Sequence, residues 1–218
     1  MLFAYPSKTK FGRVVPKTKI YEHSDANTKI QRKFIEEIEQ INWAYKLSPE
    51  TLNITADNDV SEIQVFTLRL RSGEVSEETL RTIDSAIPFP LLFELEWDNQ
   101  IQTVAAFKRR SDADTSKWVV SNYFWSGWLP TTTQRKDLPT AIDMSSFYEK
   151  LIRAIVPIKA REEERAREQI ERIDLAETKQ KEIARLQSKL KREKQFNRKV
   201  ELNKQLKNLR CELKELLA

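Results

Sequence analysis

"LLFELEWDNQIQTVAAFK", residues 91–108, decides how the chain is built. Phe93, Leu95 and Trp97 alternate with Glu94 and Glu96, and beyond Asp98-Asn99-Gln100 a second alternating set runs through Ile101, Thr103, Ala105 and Phe107. Period-two patterning on both sides of a turn-prone break marks a β-hairpin with one face toward a core. Taking Asp98-Asn99-Gln100 as a three-residue loop sets Trp97 opposite Ile101 and gathers both apolar sets on a common face.

The flanking segments extend this hairpin into a sheet. Upstream, "SEIQVFTLRLR" (61–71) is rich in β-branched and aromatic residues and reads as a strand. Ser76 suits the N-cap of a short helix through Thr79, Leu80 and Ile83, which must stop by Ile87 because Pro88 disfavours helix in the residue before it. Downstream, "KWVVSNYFW" (117–125) supplies a third strand. "TAIDMSSFYEKLIRAIV" (140–156) holds Phe147, Leu151 and Ile155 at four-residue spacing, a core helix that Pro157 ends or kinks. Nearer the start, Ile30, Phe34, Ile38 and Ile41 recur at four, four and three and predict a helix capped by Asp25 or Asn27, followed by a loop or short strand over "WAYKLSPETLNI" (43–54). Lys8, Lys10, Arg13, Lys17 and Lys19 lie among Pro6, Gly12 and Pro16 in an arm expected to be extended. The fold class is therefore α+β, an antiparallel β-meander covered on one face by helices. Residues 1–157 form this head, and residues 158–218 a basic helical tail.

The tail differs in composition. Lys159–Ala218 contains no glycine and no proline and carries 18 Lys and Arg against 12 Asp and Glu; of the chain's 38 and 33, that leaves 20 and 21 to residues 1–158. The net charge of +5 therefore resides in the tail. Ala166, Ile170 and Ile173, then Ile183, Leu186 and Leu190, then Leu202, Leu206, Leu209, Leu213 and Leu216 form three runs of three-and-four spacing, the last a heptad seam suited to a partner helix or to homo-oligomerisation. From Leu190 to Leu202 the stripe steps by twelve residues, which turns it by roughly 120°. Either one helix changes partners there or the chain reverses as a hairpin. Asn197 is the only turn-prone residue in the interval, which favours one continuous helix.

Several chemistries are limited by composition. Cys211 is the sole cysteine and His23 the sole histidine, so an internal disulfide, a cysteine-rich zinc cluster and a multi-histidine metal site are excluded, and no nucleophile motif accompanies His23. "MLFAYPSKTKFGRVV" (1–15) is broken too early for a signal peptide, and no apolar run approaches the ~18 residues of a membrane span, so a cytoplasmic protein without membrane attachment is expected. No cofactor is implied. Glu94 and Glu96 share one strand face, and Lys108 is expected on the corresponding face of the next strand. Two carboxylates and a lysine suit a Mg²⁺-dependent nuclease, with Glu62 as the further acid, but they equally suit the solvent side of a sheet. Trp118, Tyr123, Phe124, Trp125 and Trp128 suit base stacking or core packing, with Trp128 the expected exposed member. Arg185, Lys189, Lys191, Arg192, Lys194, Arg198 and Lys199 surround a lone Glu193 and point to phosphate or an acidic partner surface. Phe196 and Val200, four apart, are expected to pack on the head or on a partner and to hold that basic side outward.

Read in order, "VPKTKIY", "INWAYKLSPETLNI", "EIQVFTLRL", "IPFPLLFELEW" with "AAFK" beyond it, and "KREKQFNRKVELNKQLKNL" resemble the bacterial domain-of-unknown-function family 4391 over nearly the full chain. The resemblance implies no established activity and carries no catalytic residues. It implies a setting beside helicase-like and DNA-methyltransferase proteins of restriction or phage-defence systems. The resulting expectation is a non-catalytic accessory subunit that docks on such a partner, on DNA, or on both through the tail.

Overall fold

The structure, a computed structural model, describes residues 1–57, 59–114 and 116–218, and the chain divides into two compact units, residues 1–157 and residues 158–218. In the first unit, β1 (Phe3–Ala4) pairs in parallel with β9 (Lys136–Asp137). The principal sheet has the order β2 (Lys10–Val14), β3 (Ile38–Leu47), β4 (Ile63–Leu70), β5 (Leu91–Trp97), β6 (Gln100–Arg110), β7 (Trp118–Trp125), and β8 (Leu129–Pro130) also pairs with β6. Helices α1 (Lys17–Glu22), α2 (Thr28–Glu37), α3 (Pro49–Leu52), α4 (Glu77–Ala86) and α5 (Met144–Ile155) complete it. Within the principal sheet, neighbouring strands are antiparallel except β4 and β5, which α4 joins as a crossover. The short α1 starts directly after Pro16, inside the arm expected to be extended.

The helix ends follow local chemistry. Asn27 caps α2 by accepting from the Ile30 amide at 3.0 Å, Ser76 caps α4 from Thr79, and Asp143 caps α5 from Ser146. Phe34, Leu80 and Ile83 pack with Phe66, Leu68, Phe93, Leu95 and Val104 on one face of the sheet. The other face is covered too: Tyr148 of α5 stacks on Phe107 with ring centroids 5.5 Å apart. One-sided cover was the wrong expectation because the central strands are apolar at consecutive positions. Leu91, Leu92 and Phe93 are all buried, as strands shielded on both faces require.

The hairpin of residues 91–108 differs from the expected one by a single residue. Asp98 and Asn99 have φ of 46° and 60°, so two residues make the turn and Trp97 pairs with Gln100. Positive φ at both central positions is the tight connection whose twist matches the flanking strands. The shift places Phe93 opposite Val104 and Glu94 opposite Thr103, and so reverses the face of every β6 side chain. Phe107 consequently points away from the Phe93 side.

Ile38 and Ile41 belong to β3, not to a continuing α2. Ile38, Ile41, Ala44 and Leu47 are buried, a three-residue spacing produced by register shifts between Ile38 and Gln40 and between Trp43 and Tyr45. Bulges displace the alternation, and the result imitates a helical stripe.

In the second unit, α6 (Ala166–Arg192) and α7 (Phe196–Leu217) form an antiparallel hairpin, where the sequence favoured one continuous helix. Glu193 and Gln195 take extended conformations without glycine, proline or asparagine, and the Glu193 carboxylate accepts from the Lys194 and Gln195 amides at 2.8 and 2.9 Å. Asn197 lies inside α7 and makes no turn. At the opposite end, Arg172 donates to the Glu164 carboxylate at 2.6 and 2.9 Å and to the carbonyls of Lys159 and Leu216 at 3.1 and 2.6 Å. One guanidinium thus ties the entering loop, α6 and the last turn of α7 together. Among the described residues, no helix is long and apolar enough to cross a membrane.

Candidate functional site

The carboxylate and lysine constellation is not assembled. Glu94 is buried, and Arg135 holds it with paired bonds, Nη1 to Oε1 at 2.6 Å and Nη2 to Oε2 at 3.0 Å. Arg135 also donates to the Phe3 carbonyl at 2.8 Å and lies over the Tyr5 ring, which stacks on Tyr45 at 4.4 Å. Burial and the Glu94 charge push the Tyr5 hydroxyl well above its ordinary value. Glu96 is half-buried and paired across the parallel ladder with Arg69; burial raises its pKa, against the pull of the Arg69 charge. Glu62 is engaged by Lys46 at 2.9 Å.

Lys108 lies on the other face of the sheet from Glu94, because Glu94 pairs with Thr103 and Lys108 is five positions, an odd offset, beyond Thr103. Its ammonium donates to the carbonyls of Asp84 and Ile87 at 2.5 and 2.6 Å, at the C-terminal end of α4, with the Asp84 carboxylate at 3.5 Å. A cation there satisfies carbonyls that the last helical turn leaves open. Burial draws the Lys108 pKa down and pushes Asp84 up, while the opposite charge of each restrains the other. Tyr123 donates its hydroxyl to Asp84, and Tyr148 accepts from the Lys108 amide at 2.8 Å and donates to the Ala106 carbonyl at 3.1 Å beside a register shift. These contacts account for the lysine as a helix cap. Arg135 and Asp84 carry no sequence signal, since their partners lie 41 and 24 residues away. Among the described residues, no three His, Cys, Asp or Glu side chains converge as a metal would require.

The aromatic cluster is largely structural. Tyr123 and Phe124 are buried, Trp118 carries the Arg110 guanidinium 4.0 Å above its ring, and Trp128 packs against the core. Trp125, not Trp128, is the exposed member.

The hairpin end gathers the remaining candidates. Lys189, Lys191 and Arg192 close α6, Lys194 lies in the connection, and Arg198 and Lys199 open α7, with Arg185 two turns back along α6. Among the described residues, none of these seven cations sits in an ion pair. Glu193 is committed to the turn, and its amide partners hold its carboxyl below the usual range. Phe196 is 78% exposed and Val200 53%, so neither packs within the chain; both stand on the first turns of α7 beside the cations. Leu206 is buried in the hairpin, and Leu202, Leu209, Leu213 and Leu216 are half-buried, so the seam assigned to a partner is shared with α6.

No curated protein and no solved structure matches the chain. A family described as "Domain of unknown function (DUF4391)" matches residues 3–213 of the 218, spanning both units. On that extent of match, the chain belongs to the DUF4391 family.

Proposed function

We propose that the protein is a non-catalytic accessory subunit of a DNA-handling complex, and that the end of its helical hairpin grips nucleic acid. The observation that carries this reading is the concentration of unpaired cations at one chain reversal, with Phe196 exposed among them. Like charges crowded on adjoining helix ends repel, and phosphate relieves that repulsion while releasing condensed counterions. An exposed aromatic ring adds a surface on which an unstacked base can lie. The DNA-handling setting implied by the family resemblance points the same way, including a helicase-like or methyltransferase partner. The nuclease alternative has lost its geometry: Arg135 occupies Glu94, and Lys108 caps α4 on the opposite face.

The test is a salt titration of binding to short duplex and single-stranded DNA, with wild type and a variant carrying Arg192→Gln, Lys194→Gln, Arg198→Gln and Lys199→Gln. Each phosphate contact on duplex DNA contributes a slope of roughly −0.9 in log K against log salt, so loss of four contacts should flatten it by about 3.6. Helix content should hold, because glutamine is a comparable helix former. Equal salt dependence of the two proteins would refute the grip. Cleavage of either DNA by wild type with Mg²⁺, lost in Glu96→Ala, would restore the nuclease reading.

A further inference from the structure

One side of the hairpin differs from the rest of the basic surface. A groove of about 610 Å³ runs between the helices, with Leu190, Leu206 and Cys211 as its floor and Lys191, Lys207, Arg210 and Lys214 along its walls. Its lining contains no carboxylate. The recess on the other side, lined by Lys189, Arg192 and Arg198, includes Glu193 and Glu201. Among the described residues, none of the four groove cations is in an ion pair, whereas Glu212 on the same helix is taken by Lys179.

Asn203, Lys207, Arg210 and Lys214 follow one another at four, three and four residues, the spacing of a helix-packing seam beside the leucine seam. The two helices bury Leu206 but leave Leu190 half-exposed, and a third helix laid between them would cover that side. We infer that this groove receives an acidic amphipathic helix of a partner protein, whose apolar stripe meets Leu190, Leu206 and Cys211 and whose carboxylates meet Lys191, Lys207, Arg210 and Lys214. Nucleic acid is the poorer occupant, because a phosphate backbone gains nothing from an apolar floor. A second copy that offered the same groove would bring four cations against four. The surface is separate from the grip of the hairpin end except for Lys191, so either assignment can fail without the other.

Cys211, the only cysteine, makes the groove directly readable. The probe is a synthetic peptide of about three heptads with leucine at a and d and glutamate at the flanking positions. Binding is followed by anisotropy of the labelled peptide and by the rate at which a thiol reagent modifies Cys211 in the full-length protein. The expected result is saturable binding that slows Cys211 modification about tenfold or more at saturation, the fraction left free setting the rate. Lys207→Glu, Arg210→Glu and Lys214→Glu together should abolish the protection with helix content retained, as glutamate is a good helix former. The four-glutamine variant of the hairpin end should protect Cys211 as wild type does. Absence of protection by the peptide overturns the inference. So does equal protection by a peptide with lysine in place of glutamate, stronger protection by duplex DNA, or protection that rises with protein concentration alone; the last would assign the groove to a second copy.

Discussion

Lys108 in the sheet unit and Lys194 in the hairpin are the same residue type under opposite conditions. Lys108 is buried, its protons taken by two carbonyls with a carboxylate beside them; Lys194 stands exposed among cations with no ion pair among the described residues. Arg135 and Arg172 follow Lys108, each clamped on a carboxylate and on backbone carbonyls. Basic residues therefore do two jobs here. Where the chain supplies acceptors, the cation holds the fold, and where it supplies none, the cation stands exposed without an ion pair, which is the ground of the proposed grip.

The largest expected effect breaks a clamp in the sheet unit. Arg135→Ala leaves Glu94 buried without its partner, and denaturant unfolding should show a loss of about 3–5 kcal/mol. Arg135→Ala together with Glu94→Leu should recover most of it, since an apolar pair carries no desolvation cost. A loss below about 1 kcal/mol, as for a surface pair, would place Arg135 with the uncommitted cations.

Leu206→Ala should cost about 2–3 kcal/mol, at the low end for a leucine truncation because the seam is only partly enclosed. Hydrogen exchange should report that loss in α6 and α7 while β4 and β5 stay protected. Uniform loss of protection in both would show the two units to be one cooperative body.

Asn99→Val places a β-branched residue at a φ of 60°. The strain should cost about 1–3 kcal/mol by the same unfolding measurement, whereas Asn99→Gly should be nearly neutral. Tolerance of valine would argue for the three-residue connection and the opposite β6 register.

Acid titration should act with opposite sign in the two units. The Arg172 guanidinium holds Glu164 at about 2 against an ordinary 4.5. A depressed carboxyl stabilises above its unfolded value, so this contribution is present above about pH 4.5 and is lost as pH falls toward about 2. Burial raises Asp84, so the folded sheet unit takes up its proton before the unfolded chain does, and that group favours the fold as pH falls. Glu164→Gln should remove the acid sensitivity of α6 and α7 that hydrogen exchange detects between pH 5 and about 2. An unchanged profile would mean that the clamp contributes nothing to the end of the hairpin opposite its reversal.

The sequence by itself determined those features whose cause is local. Alternation in residues 91–97 and 117–125 announces strands, Ser76 and Asn27 start helices with their own side chains, and Pro157 stops α5. The charge excess beyond Lys159 and the family resemblance were legible in the same way. Tertiary structure decided what depends on distant partners. A single residue of register at Asp98-Asn99 separated Lys108 from Glu94, and bulges in β3 gave a strand the burial spacing of a helix. The reversal at Glu193–Gln195 lacks a turn-forming residue. It rests on amides capped by a glutamate, leucines that pair across the two helices, and an arginine clamp at the far end. Each of these is a contact between residues whose separation along the chain conceals them, and their free energy exists only once the chain has brought them together.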